Sequence, residues 1–331
     1  MPVNLATSKR YPIKVSISLT SPAVNAPVRS TLLADYGALF KVRVSTMVII
    51  TSAAGFYLGS LRSGISPFHA GLVEAMLGIA VVTAGSSALN QALERRTDSL
   101  MPRTASRPMA QGRISLSHGL TVGFIAIVAG SVYLAYATNV LTGLLTLLTA
   151  VGYVAIYTPL KRFTTLNTFI GAFPGALPPL IGWTAARGVI EWPAVALFAI
   201  LFVWQFPHFM AIGWMYRADY AAAGIRVTAT QTDVRDAARS SVVQALFYAV
   251  VMIPASLWLT FLHTTGVPYA FVATVLGGWY LYATIRFARI LRNPENPGNH
   301  LLARNLLKVS VMYLPLLMLA MILNAQGRLF F

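Results

Sequence analysis

Cysteine is absent from the 331 residues of the sequence, and acidic residues are scarce. The lack of cysteine excludes disulfide bonds, thiolate metal sites and a cysteine nucleophile. Nine Asp and Glu residues stand against 25 Lys and Arg, and charged residues make up 10% of the chain, compared with about 25% in soluble domains. Because 56% of the residues are also hydrophobic, the composition indicates a chain that resides in a lipid bilayer.

Several motifs of soluble enzymes are missing as well. The sequence has no glycine-rich nucleotide loop, no metalloprotease helix and no nucleophile elbow. The net charge of +16 could suggest a nucleic-acid partner, but the basic residues lie in short segments between apolar runs. That pattern is typical of membrane topology and of contact with anionic headgroups. We therefore expect the lipid bilayer as a partner, and no nucleic acid.

Nine runs of about 20 apolar residues predict nine membrane-spanning helices in an all-α membrane protein. The predicted polytopic domain covers residues 41–331. Its spans lie approximately at residues 43–61, 69–93, 114–136, 139–158, 167–186, 192–215, 241–262, 268–290 and 306–324.

Residues 1–40 differ from the rest of the chain. They contain no apolar run long enough for a cleaved signal peptide, and no acidic residue precedes Asp35. They are rich in Ser, Thr, Val and Pro. We predict a disordered cytoplasmic tail, with an organelle transit peptide as the alternative.

The basic residues also predict the orientation of the helices. If the N-terminus is inside, the inside segments hold 22 Lys and Arg and the outside segments hold 3. The positive-inside rule therefore predicts an inside N-terminus and an outside C-terminus. Every polar cluster then lies on the cytoplasmic side, as an inward-facing active site requires. A transporter would instead place polar residues near the midplane, with a repeat that this sequence lacks.

The first polar cluster is the stretch N-Q-A-L-E-R-R-T-D-S-L-M-P-R-T-A-S-R-P, which begins at Asn90. Asn90, Glu94 and Asp98 are four residues apart, so they share one face of a helix. Arg103 and Arg107 repeat that spacing. Three oxygen ligands followed by two guanidinium groups suit a magnesium-bound diphosphate. The alternative is a helix end with ordinary interfacial ion pairs, although acids in or next to a membrane helix are usually functional.

The second cluster is Y-T-P-L-K-R-F-T-T-L-N, from Tyr157 to Asn167. Lys161 and Arg162 could simply set the membrane topology. Their predicted place on the same side as the first cluster equally supports contact with phosphate. A third stretch, residues 171–183, contains three prolines, which are tolerated in a membrane helix only where it faces protein or a cavity.

The fourth stretch contains His208 within W-Q-F-P-H-F and continues to Asp219 within D-Y-A-A-A-G. Three roles stay open for His208: a hydrogen bond between helices, ligation of haem iron, or a base. Asp219 could hold a second metal, orient a lysine or arginine, or cap a loop.

Taken together, these stretches resemble the protohaem IX farnesyltransferases, also called haem O synthases, of the UbiA prenyltransferase superfamily. The first motif reads N-x-x-x-E-x-x-x-D-x-x-M-x-R-T-x-x-R-P and the second Y-T-P-x-K-R-x-T-x-x-N. They are followed by G-A-L-P-P-L-I-G-W, W-Q-x-P-H-F and D-Y-x-x-A-G. The last two pieces narrow the resemblance from the superfamily to its haem branch.

The resemblance implies a reaction and a fold. A farnesyl group passes from farnesyl diphosphate to a vinyl group of haem B, water adds, and haem O and diphosphate result. The product would serve terminal oxidases, so haem A synthase or an oxidase assembly is an expected partner. The family fold is a ring of nine membrane helices around a central cavity. The expected location is a bacterial inner membrane, with the mitochondrial inner membrane as the alternative.

The resemblance also implies roles for individual residues. Asn90, Glu94 and Asp98 would hold Mg²⁺. The expected catalytic residues are these three together with Arg103, Lys161 and Asp219. The expected substrate-binding residues are Arg103, Arg107, Tyr157, Lys161, Arg162, Asn167 and His208.

The sequence departs from the superfamily at Asp219. Most members carry a second D-x-x-x-D run there, whereas Tyr220 and alanines follow in this chain. A second metal site is therefore in doubt, and Asp219 could act through a cation of the protein instead. Two other functions compete with haem farnesylation: prenylation of another aromatic or chlorin acceptor, and a non-enzymatic haem or lipid carrier. The carboxylates of the first motif weigh against a carrier, which has no leaving group to ionise.

Overall fold

The computed structural model describes residues 30–325, and every regular element in that part of the chain is a helix. The α-helices are α1 (Leu32–Leu39), α2 (Val42–Arg62), α3 (Ala70–Asp98), α4 (Leu116–Ala137), α5 (Val140–Val151), α6 (Thr158–Leu160), α7 (Asn167–Ala176), α8 (Pro178–Arg187), α9 (Trp192–Met215), α10 (Arg217–Ala222), α11 (Val234–Phe261), α12 (Val267–Phe287) and α13 (Asn299–Leu323). A π-helical turn (Gly152–Tyr157) connects α5 to α6.

Eight helical segments of the described chain are long and apolar enough to cross a membrane. They are α2, α3, α4, α5 through α6, α7 with α8, α9, α11 and α13. The all-α, multi-pass architecture predicted from the apolar runs is thus confirmed. The remaining predicted span corresponds to α12, whose 21 residues include three tyrosines, a tryptophan and two glycines that lower its mean hydropathy. A count of nine spans therefore stays a prediction.

The predicted tail, residues 1–40, lies mostly outside the described residues. For the described part of this tail, the prediction of disorder up to residue 40 is wrong, because Leu32–Leu39 form α1. The Thr31 side chain accepts a hydrogen bond from the backbone N–H of Ala34 and so caps the helix. Arg113 Nη2 lies 2.9 Å from Asp35 Oδ1, and this contact lowers the pKa of Asp35. The cap stabilises the start of α1, and the ion pair holds α1 against the segment after α3.

Helices α2 and α8 pack with almost no space between their backbones. A Cβ atom on Gly55 would overlap the carbonyl oxygen of Pro179, and one on Gly182 would overlap that of Ser52. Small residues permit this approach in membrane proteins, where van der Waals packing rather than the hydrophobic effect drives helix association. The α2–α8 contact therefore depends on the absence of two side chains.

A polar cluster connects α2, α8 and α9 at the end of the molecule away from the carboxyl end of α3. Glu191 accepts hydrogen bonds from Arg187 Nε at 2.9 Å and from Trp183 Nε1 at 3.0 Å. Arg187 Nη1 also donates to Ser63 Oγ at 2.7 Å. The hydrogen bond from Arg187 lowers the pKa of Glu191. The cluster therefore joins the ends of the three helices.

The proline-rich stretch predicted to shape a pocket is where one span is divided. Helix α7 ends at Ala176 and α8 begins at Pro178, with Leu177 between them. Gln205 of α9 crosses this break and donates to the carbonyl of Ala172 at 3.1 Å. A proline cannot donate a backbone hydrogen bond, so the helical ladder is interrupted here, and the hydrogen bond from Gln205 ties α9 to α7 next to the break. The break is therefore buried against protein, as such irregular backbone requires.

Candidate active site

A cavity of about 230 Å³ lies where the carboxyl ends of α3, α6 and α9 converge. Its wall carries more positive than negative side chains: four cations (Lys41, Arg103, Arg107, Lys161) and two carboxylates (Glu94, Asp98). Apolar residues complete the wall, among them Met101, Phe209, Met210, Ile212, Ile225 and Val227. An excess of two cations next to apolar surface suits an anionic group attached to an apolar chain.

The residues that the sequence places on one face of α3 do lie together, and each is held by a cation. Lys161 Nζ lies 2.6 Å from Glu94 Oε1. Arg107 Nη1 donates to both oxygens of Asp98, at 2.8 and 2.7 Å. Glu94 and Asp98 line the cavity, whereas Asn90 is fully buried beside it. Pairing explains how two carboxylates are tolerated at this depth, since an unpaired charge would be costly.

Lys41 is a cavity residue that the sequence analysis treated only as a topology signal. Its Nζ donates to Asn90 Oδ1 and lies 3.5 Å from the hydroxyl of Tyr153. Asn90 Nδ2 in turn donates to Thr158 Oγ1 at 2.9 Å. The backbone of Lys41 is left-handed (φ 48°, ψ 50°), a conformation that residues with a side chain rarely adopt. In the sequence, the only indication that Lys41 could belong to the site is its position directly before the first span.

The environment of Lys41 changes its ionisation. Burial, together with the positive charge of Arg107, lowers the pKa of Lys41 to about 7. Lysine ordinarily titrates near 10.4. Lys41 therefore loses its proton close to neutral pH, and an anion bound beside it would favour the protonated form.

The segment after α9 contributes a tyrosine to the cavity rather than the predicted aspartate. Tyr220 lines the cavity, and its hydroxyl accepts a hydrogen bond from Arg103 Nη2 at 2.9 Å. The guanidinium of Arg103 also lies 5.3 Å from the ring centre of Tyr216 and 5.2 Å from that of Tyr220. Asp219 is not among the cavity-lining residues and makes no side-chain hydrogen bond or ion pair within residues 30–325. Its catalytic role stays a prediction.

Tyr157 reaches the cavity because the chain leaves regular α-helix before it. It ends the π-helical turn, a feature that frequently occurs at functional sites. Lys161 Nζ lies 4.5 Å from the centre of its ring. Gly171 of α7 packs so closely that a Cβ there would overlap the ring of Tyr157. The aromatic face of Tyr157 is thus fixed towards the cations of the cavity.

Arg162 and Asn167 were both predicted to bind substrate, and the structure separates their positions. Arg162 is exposed and lines a neighbouring cavity of about 280 Å³, which shares Glu94 and Lys161 with the first cavity but not Asp98. Asn167 does line the first cavity. Its Nδ2, however, is occupied by the carbonyls of Thr164 and Arg226. Asn167 therefore fixes the Lys161 turn to the loop after α10, and contact with substrate is left to its other atoms.

His208 lies outside the cavity, although the next residue, Phe209, lines it. His208 Nδ1 lies 2.8 Å from Ser310 Oγ of α13. Its ring stacks on Trp204, with centroids 4.8 Å apart. A hydrogen bond between helices, one of the three roles left open by the sequence, is therefore present.

The oxygen atoms of the α3 face fit magnesium better than they fit a transition metal. Within the described residues there is no cluster of three His, Cys, Asp or Glu side chains. The set here is two carboxylates and one amide, and Mg²⁺ prefers such oxygen ligands. Each ligand would have to part from its present cation. The residues therefore fit a metal cation that binds together with an anion, because the anion would give Lys161 and Arg107 a new partner.

Comparison with known proteins assigns the fold and the family. The model of the UbiA prenyltransferase family matches residues 48–305, which is more than half of the chain. The chain belongs to the UbiA prenyltransferase family. This prenyltransferase is 44% identical over 309 residues to the protoheme IX farnesyltransferase of Koribacter versatilis, covering 93% of this chain and 98% of the relative. It is 37% identical over 304 residues to the protoheme IX farnesyltransferase of Solibacter usitatus, covering 88% and 99%.

Solved structures share the fold of this prenyltransferase at low sequence identity. A digeranylgeranylglyceryl phosphate synthase superposes with a TM-score of 0.71 at 18% identity, covering 88% of this chain and 98% of that one. A UbiA homolog from Archaeoglobus fulgidus bound to GPP and Mg²⁺ superposes with a TM-score of 0.56 at 16% identity, covering 87% and 99%. The resemblance to haem-branch UbiA enzymes that the motifs indicated is confirmed by the names of the sequence relatives.

Proposed function

We propose that this prenyltransferase transfers the farnesyl group of farnesyl diphosphate to a vinyl group of haem B. Water then adds on the porphyrin side, and haem O and diphosphate are released. Two observations support the substrates. Relatives at 44% and 37% identity, matched over nearly their whole length, are named protoheme IX farnesyltransferase. The cavity combines a cationic wall with an apolar one, as a prenyl diphosphate requires.

The observation that carries the proposal is the convergence of the α3 carboxylates with cations from distant parts of the chain. Lys161 and Glu94 are 67 residues apart in sequence, and Lys41 and Asn90 are 49 apart. A carrier would have no need to assemble such a charge array, because it has no leaving group to stabilise. Preorganised charge at the position where charge develops is usually the largest contribution to catalysis.

We assign Mg²⁺ to Asn90, Glu94 and Asp98. The A. fulgidus homolog of the same fold, described as bound to GPP and Mg²⁺, supports the choice of ion. When bound, Mg²⁺ adds positive charge that stabilises the departing diphosphate. The site residues themselves do the positioning: the carboxylates fix the ion, and Arg103, Arg107 and Lys161 bind phosphoryl oxygens.

The ion pairs in the cavity allow ligands to bind without exposing an unpaired buried charge. Lys161 and Arg107 are already at the cavity wall, each paired with a carboxylate. If metal and diphosphate bound together, Lys161 and Arg107 could turn from Glu94 and Asp98 to phosphoryl oxygens, while the metal would take their place beside the carboxylates. Leaving one partner of a buried pair alone would cost about 3–5 kcal/mol. We therefore expect metal and diphosphate to bind cooperatively.

Tyr157 is placed to stabilise the allylic cation formed when diphosphate departs. An aromatic face attracts cations within about 6 Å of its centre, and this face already holds the ammonium of Lys161 at 4.5 Å. When Lys161 turns to diphosphate, the face becomes available to the allylic carbon. The vinyl carbon of haem then attacks that cation, and no covalent enzyme intermediate is needed.

The size of the cavity limits what it holds. Pockets for small molecules usually measure about 300–1,000 Å³, and this cavity measures about 230 Å³. We therefore place the diphosphate and the first carbons of the farnesyl chain in it. The rest of the chain leaves on the apolar side, past Phe209 and Met210, and the porphyrin approaches from there.

We further propose a ring of nine membrane helices around the active site, with the N-terminus and the cavity on the cytoplasmic side and the C-terminus outside. The bias of 22 basic residues to 3 supports this orientation. Bacterial relatives support a bacterial inner membrane. Haem A synthase or a terminal oxidase assembly is the proposed recipient of the product.

The proposed function is tested by incubating membranes that contain the full chain with haem B, farnesyl diphosphate and Mg²⁺. We expect chromatography to show a farnesylated haem together with released diphosphate, and neither when a chelator is added. Diphosphate release that requires a different aromatic or chlorin acceptor would support the alternative prenyltransferase. Haem binding without any release of diphosphate would support the carrier.

A further inference from the structure

A second cavity lies directly beside the candidate active site. It measures about 280 Å³ and lies between the carboxyl end of α3 and the turn after α6. Glu94, Lys161 and Ile225 line both cavities. Because Lys161 Nζ lies 2.6 Å from Glu94 Oε1, this ion pair forms part of the wall that the two cavities share. A movement of the Lys161 side chain would therefore open one cavity to the other.

The second cavity contains a cation that has no partner. Arg162 lines it and is exposed, and its guanidinium makes no hydrogen bond or ion pair within residues 30–325. Leu93 and Phe163 also line the cavity and are exposed, so the cavity reaches the surface of the molecule. An unpaired guanidinium in a recess that is open to the surface suits a small free anion.

The other sides of the first cavity offer no such path to an anion. The segment after α3 and the segment that contains α10 are joined by the hydrogen bond from Arg103 to the hydroxyl of Tyr220, at 2.9 Å. The same two segments bury Met101 and Ile225 against each other in an apolar cluster. The remaining wall, on which we place the farnesyl chain, is apolar, and a charged group is costly in apolar surroundings.

We infer that the second cavity is the route by which diphosphate leaves the active site, and that Arg162 is the cation that receives it. The inference rests on the proposed function, because diphosphate is a product of the proposed reaction. Lys161 lines both cavities, so its ammonium can stay in contact with the anion as the anion passes from one to the other. No covalent bond changes in this step, since the bond between the farnesyl carbon and the diphosphate oxygen is already broken.

The experiment plugs the second cavity with a removable group and measures the release of diphosphate. Because the chain has no cysteine, Phe163→Cys supplies its only thiol, and of the two cavities Phe163 lines only the second. The purified full-length protein in detergent is treated with benzyl methanethiosulfonate, which is bulky and neutral, or with the small methyl reagent. Dithiothreitol removes either group. Ser99→Cys is the matched control, because Ser99 is exposed and lines neither cavity.

The measured quantity is the rate at which radiolabelled inorganic diphosphate, bound in the presence of Mg²⁺, is replaced by unlabelled diphosphate. We expect the benzyl group on Phe163→Cys to slow this dissociation by about tenfold, which corresponds to about 1.4 kcal/mol on the barrier for release. The methyl group should have little effect because it leaves the cavity open, and dithiothreitol should restore the original rate. Labelled Ser99→Cys should release diphosphate at the rate of the unlabelled protein.

A single turnover with farnesyl diphosphate already bound separates release from the reaction itself. Farnesylation of haem in labelled Phe163→Cys should keep its full rate in that turnover, because the plug affects only the later departure of diphosphate. Repeated turnover should become slower, since product release then limits the rate.

Arg162→Gln tests the cation that receives the anion. Arg96→Gln is its matched control, because Arg96 is also exposed at the carboxyl end of α3 and lines neither cavity. Both substitutions remove one positive charge from the same end of the molecule. We expect diphosphate to dissociate several-fold more slowly from Arg162→Gln, and at the unaltered rate from Arg96→Gln.

Three results would overturn the inference. They are an unchanged dissociation rate in labelled Phe163→Cys, equal rates in Arg162→Gln and Arg96→Gln, and a single turnover that is slowed as much as dissociation. The dissociation measurements need neither haem nor a farnesyl group, so their failure leaves the proposed function untouched. Conversely, a protein whose release of diphosphate is blocked by the plug but that never farnesylates haem would reject the function and keep the route.

Discussion

At the scale of single residues, the cavity is a set of charges that are each satisfied before any ligand binds. Asp98 is buried and bonded through both oxygens to Arg107. Glu94 is paired with Lys161, and Asn90 with Lys41. A substitution of equal size at one member of this set changes the charge but not the shape. Such substitutions therefore separate catalytic from structural contributions.

We expect Asp98→Asn to remove Mg²⁺-dependent release of diphosphate while the protein stays folded in the membrane. Asparagine keeps the size and one oxygen but loses the charge that we propose holds the metal, and loss of one such electrostatic contact typically costs about 100-fold or more in kcat. Diphosphate release measured against Mg²⁺ concentration checks this. Asp236→Asn is the control, since Asp236 is exposed and lines no part of the cavity. Full activity of Asp98→Asn would reject the metal assignment.

The lowered pKa of Lys41 predicts how the affinity for diphosphate depends on pH. Burial and the charge of Arg107 lower its pKa to about 7, so above that pH the ammonium form must be regained when an anion binds. Binding then takes up a proton, and affinity should fall by up to about tenfold for each pH unit above 7. Calorimetric titration with inorganic diphosphate in two buffers of different ionisation enthalpy measures the uptake. Lys41→Met should bind more weakly and lose this part of the pH dependence.

At the scale of secondary-structure elements, close backbone contact with α8 fixes the position of α2, the helix that follows the cavity residue Lys41. Lys41 directly precedes α2, so any shift of α2 also moves the Nζ that contacts Asn90. The glycines at this contact are needed for packing, not for conformational freedom, because both are inside regular helices.

We expect Gly182→Ala to destabilise the protein by about 1–3 kcal/mol or more, because the new methyl group overlaps the backbone of Ser52 and the helices must separate. Thermal unfolding in detergent, followed by tryptophan fluorescence, measures the loss. Gly278→Ala is the matched control: a Cβ there meets nothing within 4 Å, and alanine favours a helix by about 1 kcal/mol over glycine. Equal midpoints for the two variants would show that the α2–α8 contact is adaptable.

At the scale of the whole molecule, the polar chemistry is concentrated at one end. The cavity residues lie at the carboxyl ends of α3, α6 and α9, and the Glu191 cluster joins helix ends on the other side. The absence of cysteine makes the proposed orientation directly measurable, since any single introduced cysteine is the only thiol in the chain.

We expect Ser99→Cys, in the segment after α3, to react with a membrane-impermeant maleimide only after permeabilisation of the cells. Ser66→Cys, in the loop between α2 and α3, should react in intact spheroplasts. Both serines are exposed, and the positive-inside rule places them on opposite sides. The reverse labelling pattern would contradict the inside N-terminus and move the cavity to the outer face.

Much of the site could be read from local sequence. The four-residue spacing of Asn90, Glu94 and Asp98 correctly predicts one helix face, because helical periodicity is a local property. Local spacing did not reveal that Arg162 faces a different cavity or that Tyr220, not Asp219, meets Arg103. Arg103 and Tyr220 are 117 residues apart, and such a contact follows from how helices pack.

By itself, the sequence determined the membrane class, eight helical spans that the structure matches, the charge asymmetry and motifs typical of a diphosphate site. These features follow from the composition and from the spacing of residues along each helix. Neither depends on which helices are neighbours in the fold. Only the tertiary structure decided which cation holds which carboxylate, that Lys41 joins the cavity, and that Ser310 fixes His208. Those contacts join helices far apart in sequence, and they depend on close backbone packing and on hydrogen-bond partners that no local pattern specifies.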